Sequence, residues 1–313
     1  LHPRDHGVRR WNHRLVEKHL TLAEVLREGG YKTAAVMSHS IFQLQHGHAQ
    51  GFEHYDVSAV ADKDPNEVIS SPHVVKRTKD YLELLPEPFF LFVHLFDPHT
   101  KYHMHKQFPW RGGRDQDSYD SEISFTDHHL GSLLDDLRGN GVLDRSVVVL
   151  TSDHGEEFME HGAKEHGTNV FEETIKVPLL IRMHGLKPAR VKLPVVQTQV
   201  APTLLKLAGL PVPRQFAEEP LPLAGKGATA EPRAVLAETH LNSEIRAIIQ
   251  GRHKLIHWFD KSKVELFDLE ADPGEREDLA AREPVHVKAL KEELDRFYNR
   301  PAAKPVKIEI DDH

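Results

Sequence analysis

Val147, Val148, Val149 and Leu150 follow one another with no polar side chain among them, and within five positions the chain reads Asp153-His154-Gly155. A short apolar run preceded by the turn-rich "RGNGVLDRS" is consistent with a strand buried on both faces, the environment of parallel sheets covered by helices. In open α/β sheets the chemistry gathers at the carboxyl ends of such strands. Asp153 and His154 supply an oxygen and an imidazole donor, and Gly155 lets the backbone turn away at once. The pair reads as half of a metal site. The alternative is an Asp-His turn capping a helix whose first turn holds Glu156 and Glu157, where the helix dipole favours acids.

The same alternation of helix and strand recurs along the chain. "HLTLAEVLREGG" carries a Thr21/Glu24 capping box and a Gly29-Gly30 stop, and it runs into the strand "KTAAVM". "SPHVVKRTKDYLELLPE" predicts a helix from near Pro72 to just before Pro86, feeding a second buried strand over Phe89 to Leu95. A helix over Tyr119 to Leu137 sets Ile123, Leu130, Leu133, Leu134 and Leu137 on one face. After "VPLLIR" and the helix "TQVAPTLLKLAGL", residues 211–232 read as a loop rich in Pro and Gly. The pattern then changes: "IRAIIQGRHKLIHW" and "KVELFDLEADP" read as antiparallel strands, closed by a charged helix near Val285 to Tyr298. The expected fold class is α/β over residues 1–212, with a smaller α+β subdomain over 213–313.

A length of 313 residues suffices for such a core. The net charge of −8 comes with acids and bases mixed along the chain, which leaves no nucleic-acid footprint. No apolar stretch approaches the ~20 residues a membrane span needs. The absence of cysteine excludes disulfides and thiolate ligands and leaves the compartment open. Leu1 is not an initiator methionine, so the lack of a leader carries no information. Histidine is unusually frequent at 24 copies, and clusters such as "HGHAQGFEH" and "TKYHMHK" fit either metal binding or solvated loops.

Three segments, "PFFLFVHLFDPH", "VVLTSDHGEEFMEHG...HGTNVFEETIKVPLLI" and "GRHKLIHW...ELFDLEADPGEREDLA", together resemble the sulfatase family of the alkaline phosphatase superfamily. The opening "LHPRDHGV", then "LTLAEVLREGGYKTAAVMS" and "GFEHYD", fit the same pattern in the same order, so the resemblance runs along nearly the whole chain. It implies an alkaline-phosphatase-like sandwich, a mostly parallel sheet with helices on both faces and a small C-terminal α+β subdomain. It also implies metal-dependent hydrolysis of sulfate esters. A phosphonate monoester or phosphodiester hydrolase of the same superfamily is the alternative, as is a catalytically inactive sulfatase-like fragment.

Residue by residue, Asp153 and His154 match a family pair of metal ligands. The resemblance implies one divalent ion, calcium first, with manganese, magnesium or zinc as alternatives. His99 in "FDPH" matches a histidine that donates to the ester oxygen or protonates the leaving group, a task that suits an imidazole of pKa ~6.5. His94, within the strand, reads instead as a satisfied core histidine. His166 stands close to where many relatives carry a lysine that binds the anion's oxygens; Lys164, two residues earlier, is the second choice. His161 belongs to the same motif without an assigned role. The implied partner is a small anionic ester, a sulfated sugar or an aryl sulfate, with no nucleic acid, no membrane span and the oligomeric state open. The loop carrying Tyr102, His103, His105 and Trp110 is either a substrate rim or ordinary surface.

Two departures stand out. The family's nucleophile segment, of the type Cys/Ser-x-Pro-x-Arg and oxidised to formylglycine in sulfatases, normally lies just before the position of "LHPRDHGV". It is expected in a segment preceding these residues, and the chain as given is expected to be inactive. At "VMSHS", Ser38, His39 and Ser40 stand where many relatives place a Lys and a His.

Overall fold

The computed structural model describes residues 2–59, 69–216, 218–223, 233–241 and 243–308, so residues 224–232 of the expected Pro/Gly-rich loop lie outside it. The chain forms two compact units, one of Leu1–Ser146, Leu204–Ala217 and Ala303–His313, the other of Val147–Thr203 and Glu218–Ala302.

The first unit begins with the short helix α1 (Pro3–His6) and with β1 (His13–Arg14), which pairs with the late strand Val306–Lys307. Helix α2 (Leu22–Glu28) starts as its sequence dictates: Glu24 N–H donates to Thr21 Oγ1 at 3.1 Å while Thr21 N–H donates to Glu24 Oε2 at 2.8 Å. Gly30, at φ 91°, then turns the chain into β2 (Lys32–Val36). β2 is the middle of a parallel three-stranded sheet, flanked by β3 (His54–Asp56) and β4 (Phe89–Val93), and its Ala34, Ala35 and Val36 are buried. Helix α3 (Ser71–Leu84) starts and stops where the two prolines predict, and its Val74 packs with Val36 and Ala59. Asp97 of the "FDPH" segment is buried against the start of α3, taking hydrogen bonds from Ser70 Oγ at 2.7 Å and Ser71 N–H at 2.8 Å. A carboxylate there meets orphan N–H groups and the positive end of the helix dipole.

Two expectations differ in this unit. β4 is half-buried rather than buried, with Phe92 45% exposed, because among the described residues it is an edge strand paired with β2 alone. Helix α4 (Asp115–Gly139) begins four residues earlier than its apolar pattern predicts, where Arg114 N–H donates to the Asp117 carboxylate at 2.9 Å. Leu133 is buried as expected, but Ile123 is 43% exposed and Ser121 and Glu122 take the buried positions at that level. Helical spacing defines a stripe; the neighbours it meets decide what that stripe buries.

In the second unit β5 (Val148–Thr151) pairs antiparallel with β8 (Leu179–Arg182), Leu150 opposite Leu180, and its residues are half-buried to exposed. The run read as buried on both faces is therefore paired on one side only among the described residues. Between these strands lie β6 (Glu157–Phe158) and β7 (Lys164–Glu165), paired antiparallel, and helix α5 (Glu172–Ile175). Helix α6 (Val200–Leu207), whose residues from Leu204 on are counted in the first unit, carries the predicted "TQVAPTLLKLAGL" element.

The C-terminal strands form an antiparallel sheet in the order β12-β11-β10-β9: β9 (Val235–Thr239), β10 (Ile245–Gln250), β11 (His253–Trp258) and β12 (Lys263–Asp268). Gly251, at φ 61°, makes the tight turn between β10 and β11. Alternation along the strands serves two cores. Ile245, Ala247, Ile256 and Phe267 face Val170 and Phe171, while Ile248, Leu255 and Leu266 face Leu290, Leu294 and Tyr298 of helix α7 (Pro284–Tyr298). β13 (Val306–Lys307) is the partner of β1.

Candidate active site

The turn after β5 is held at each step. Ser152 Oγ donates to the His154 carbonyl at 2.6 Å, and the Gln197 side-chain amide donates to the carbonyls of Ser152 and Asp153. Gly155 N–H donates to the Thr174 carbonyl at 2.8 Å, and a Cβ at position 155 would overlap the Glu173 carbonyl oxygen. This glycine thus serves close backbone approach, and no left-handed conformation is required of it.

His154 Nδ1–H donates to the Gly155 carbonyl at 2.9 Å, since a carbonyl only accepts, and this leaves Nε2 with its lone pair. That nitrogen lies 3.7 Å from Asp153 Oδ2, on a side chain 77% exposed. The His154 ring stacks on His166 with centroids 3.9 Å apart, and His166 Nδ1 lies 3.1 Å from the buried Glu156 carboxylate. The hydrogen bond that its Nδ1–H donates to Glu156 raises the His166 pKa above its ordinary value, against the opposing effect of burial. Asp153, His154, His166 and Glu156 are therefore contiguous. One carboxylate oxygen and one neutral imidazole nitrogen, its tautomer set by a second hydrogen bond, suit two positions in the shell of a divalent cation.

No helix follows His154, so Glu156 and Glu157 are not first-turn acids. Glu157 is fully buried and accepts hydrogen bonds from His161 N–H and Ala163 N–H at 2.9 Å each and from the Asn169 amide, folding the loop around itself. His161 is equally structural: its ring stacks on Phe171 at 3.7 Å, with Nδ1 2.5 Å from Glu173 and Nε2 3.1 Å from the Glu275 carbonyl. Lys164 stands on the exposed strand β7, opposite Phe158.

His99 belongs to the first unit. Its Nδ1–H donates to the Thr100 carbonyl at 2.8 Å and its ring stacks on Phe96 at 4.3 Å, an arrangement that fixes the tautomer and leaves Nε2 as the second nitrogen. His94 is satisfied as expected, with Nδ1 2.8 Å from Ser38 Oγ, whose hydroxyl donates to the His94 carbonyl at 2.7 Å. His39 Nδ1 accepts from Ile41 N–H at 3.0 Å, so Ser38 and His39, two of the three residues at the departure from the family pattern, have local structural roles. In the loop after His99, His105 is buried and stacked on Phe125 at 3.9 Å, whereas Trp110 is 49% exposed. Beneath it lies Glu122, which the sequence did not single out. Burial pushes its pKa up to about 8, while hydrogen bonds from the His103 and His99 N–H groups pull the other way. From the sequence Glu156 is only a helix-turn acid; its pairing with His166 spans ten positions and two strands, beyond any local pattern.

The family model described as Sulfatase matches residues 3–210. The chain belongs to the sulfatase family. A second model, N-sulphoglucosamine sulphohydrolase C-terminal, matches residues 160–300 of the chain. Arylsulfatase K of Bos taurus is 31% identical over 190 residues, 56% of this chain and 35% of that protein. Choline-sulfatase of Rhizobium meliloti (strain 1021) is 32% identical over 186 residues, 56% of this chain and 36% of that one. The matches thus span about a third of these relatives' length. A solved structure in complex with its substrate D-glucosamine-2-N,6-O-disulfate superposes at a TM-score of 0.76 and 19% identity, covering 95% of this chain and 86% of that one. A 2-O GAG sulfatase superposes at 0.73 and 22% identity, covering 98% and 82%. The fold is therefore the alkaline-phosphatase-like α/β fold of sulfatases. Membership of the family implies a divalent metal and a formylglycine nucleophile. No helix among the described residues is long and apolar enough to cross a membrane.

Proposed function

We propose that the complete protein hydrolyses the sulfate ester of a small anionic substrate, a sulfated sugar or an aryl sulfate, with Asp153 and His154 as two ligands of one divalent cation. Calcium is the first choice, with manganese, magnesium or zinc behind it. In this reading residues 1–212 form the catalytic part and 213–313 the C-terminal subdomain. The observation that carries it is the contiguous set Asp153, His154, His166 and Glu156 at the end of β5.

The cation, when bound, supplies Lewis-acid stabilisation of oxygen charge and activates the nucleophile's hydroxyl. The chain's own residues do the rest. The Gly155 carbonyl holds the His154 tautomer that offers Nε2 as a ligand. Glu156 favours a proton on His166, so that ring presents positive charge and an N–H to the nonbridging oxygens. Lys164 is the alternative cation for the same oxygens. His99 is the family-matched proton donor to the departing oxygen: in its imidazolium form the Thr100 carbonyl holds Nδ1–H and Nε2–H is the proton delivered, which leaves the neutral ring.

Asp153→Asn in the complete enzyme should lower metal-dependent turnover of an aryl sulfate at least about 100-fold; full retained turnover would sink the ligand assignment. A second reading, a phosphonate monoester or phosphodiester hydrolase, draws on the local engagement of Ser38 and His39 by His94 and Ile41. The ratio of kcat/KM for an aryl sulfate to that for the matching phosphonate ester decides between the two.

A further inference from the structure

Three side chains remote in sequence from the β5 turn converge where α7 meets the sheet. His253 opens β11, Glu283 is the residue immediately before α7, and His286 lies in the first turn of α7. His286 Nδ1 is 2.8 Å and His253 Nε2 3.5 Å from the same atom, Glu283 Oε2, and one donor atom from each residue lies within 4.8 Å of the others. In a tetrahedral shell with metal–ligand bonds of ~2.0–2.1 Å, ligand atoms stand ~3.3 Å apart. Two of the three separations are thus already close to those of a filled shell.

A second observation points the same way. Glu283 Oε2 is a buried atom with no hydrogen-bond partner among the described residues, although both imidazoles approach it. Neither ring is aligned to donate, so the oxygen lies between two nitrogens without the bonds that would offset its desolvation. The rings themselves stack 4.4 Å apart at 25°. Arg252, next to His253 along the chain, is engaged by the Asp268 carboxylate.

We propose that His253, Glu283 and His286 form a second cation site that takes a borderline transition-metal ion such as zinc and staples the first turn of α7 to β11. Two imidazoles and one carboxylate select zinc over calcium, which prefers six or more oxygens, and solvent completes the shell on the side where His286 is 54% exposed. The site shares no residue with the sulfatase reading and stands or falls independently of it. Its effect is structural, since the ion joins β11 to the helix that packs on Leu255 and Leu266.

The test is zinc content after equilibrium dialysis of untagged protein, with the melting temperature measured with and without zinc, for the native chain and for His286→Asn and Glu283→Gln made separately. The native chain should retain one more zinc per chain than either variant, and zinc should raise its melting temperature by several degrees more. Both variants should keep the circular-dichroism spectrum of the native chain, as His286 is largely exposed. Equal zinc content and equal thermal shifts in all three proteins would overturn the site. So would a variant-sensitive shift produced by calcium as strongly as by zinc.

Discussion

Glu156 and Glu122 carry the same side chain, both are buried, and their surroundings treat them in opposite ways. Glu156 has an imidazole at 3.1 Å and stabilises positive charge there. Glu122 accepts from two backbone N–H groups, but burial dominates, with the nearby Asp97 charge acting in the same direction, and its pKa rises to about 8. The sign of the consequence follows from linkage. With a folded-state pKa above the ordinary 4.5, the unfolded chain sheds its proton first as pH rises. The stability tied to the neutral acid is then full below pH 4.5 and is lost as pH climbs through about 8. One such proton gives a slope of at most ~1.4 kcal/mol per pH unit. Glu122→Gln keeps the acceptor oxygen and removes the titration, so its melting temperature should fall less than that of the native chain between pH 5 and 8. Parallel curves for the two proteins would refute the raised pKa. Neither acid's role was readable from its neighbours in sequence, because the partners of both come from distant segments.

Elements defined by contacts three or four residues apart were legible in advance. Thr21 and Glu24 close a reciprocal pair across the first turn of α2, and the prolines near Ser71 and at Pro284 set helix starts, because all the atoms involved lie within one turn. Thr21→Ala should therefore cost about 1 kcal/mol in denaturant unfolding, and no change in midpoint would mean that the cap contributes nothing. Strands fared differently. The run at Val148 was recognisable as a strand, yet its antiparallel pairing to Leu179–Arg182 and its half-burial depend on which segment lies alongside. The C-terminal strands were legible as antiparallel because their alternation is regular and Gly251 supplies a tight turn between two of them. β9 escaped the sequence reading.

At the scale of the whole molecule, the two compact units do not follow chain order, since each gathers segments separated by long stretches of the other. Within the second unit the tie between distant segments is partly ionic. Lys254 on β11 is fully buried, with its ammonium 2.7 Å from Glu275 and 3.2 Å from Glu172, and Glu275 also accepts a hydrogen bond from Glu172 N–H. The same Glu275 carbonyl meets His161, which links the loop behind His166 to the C-terminal sheet. Burial raises the Glu275 pKa, and Lys254 acts against that rise. Removing the cation leaves two acids in a poorly solvated place, so Lys254→Ala should lower unfolding free energy by about 3–5 kcal/mol. A loss under about 1 kcal/mol would show that the carboxylates find other partners.

By itself the sequence determined the family, the capped start of α2 and the Pro-marked start of α3, and the Asp153-His154-Gly155 turn at the end of a strand, because caps, turns and apolar periods are short-range properties written in consecutive residues. Only the tertiary structure decided that His166 stacks on His154 against Glu156, that Lys254 is buried between two acids, and that His253 meets His286. Those contacts join residues from about ten to more than eighty positions apart, and which of many polar side chains meet is set by the packing that closes the chain on itself.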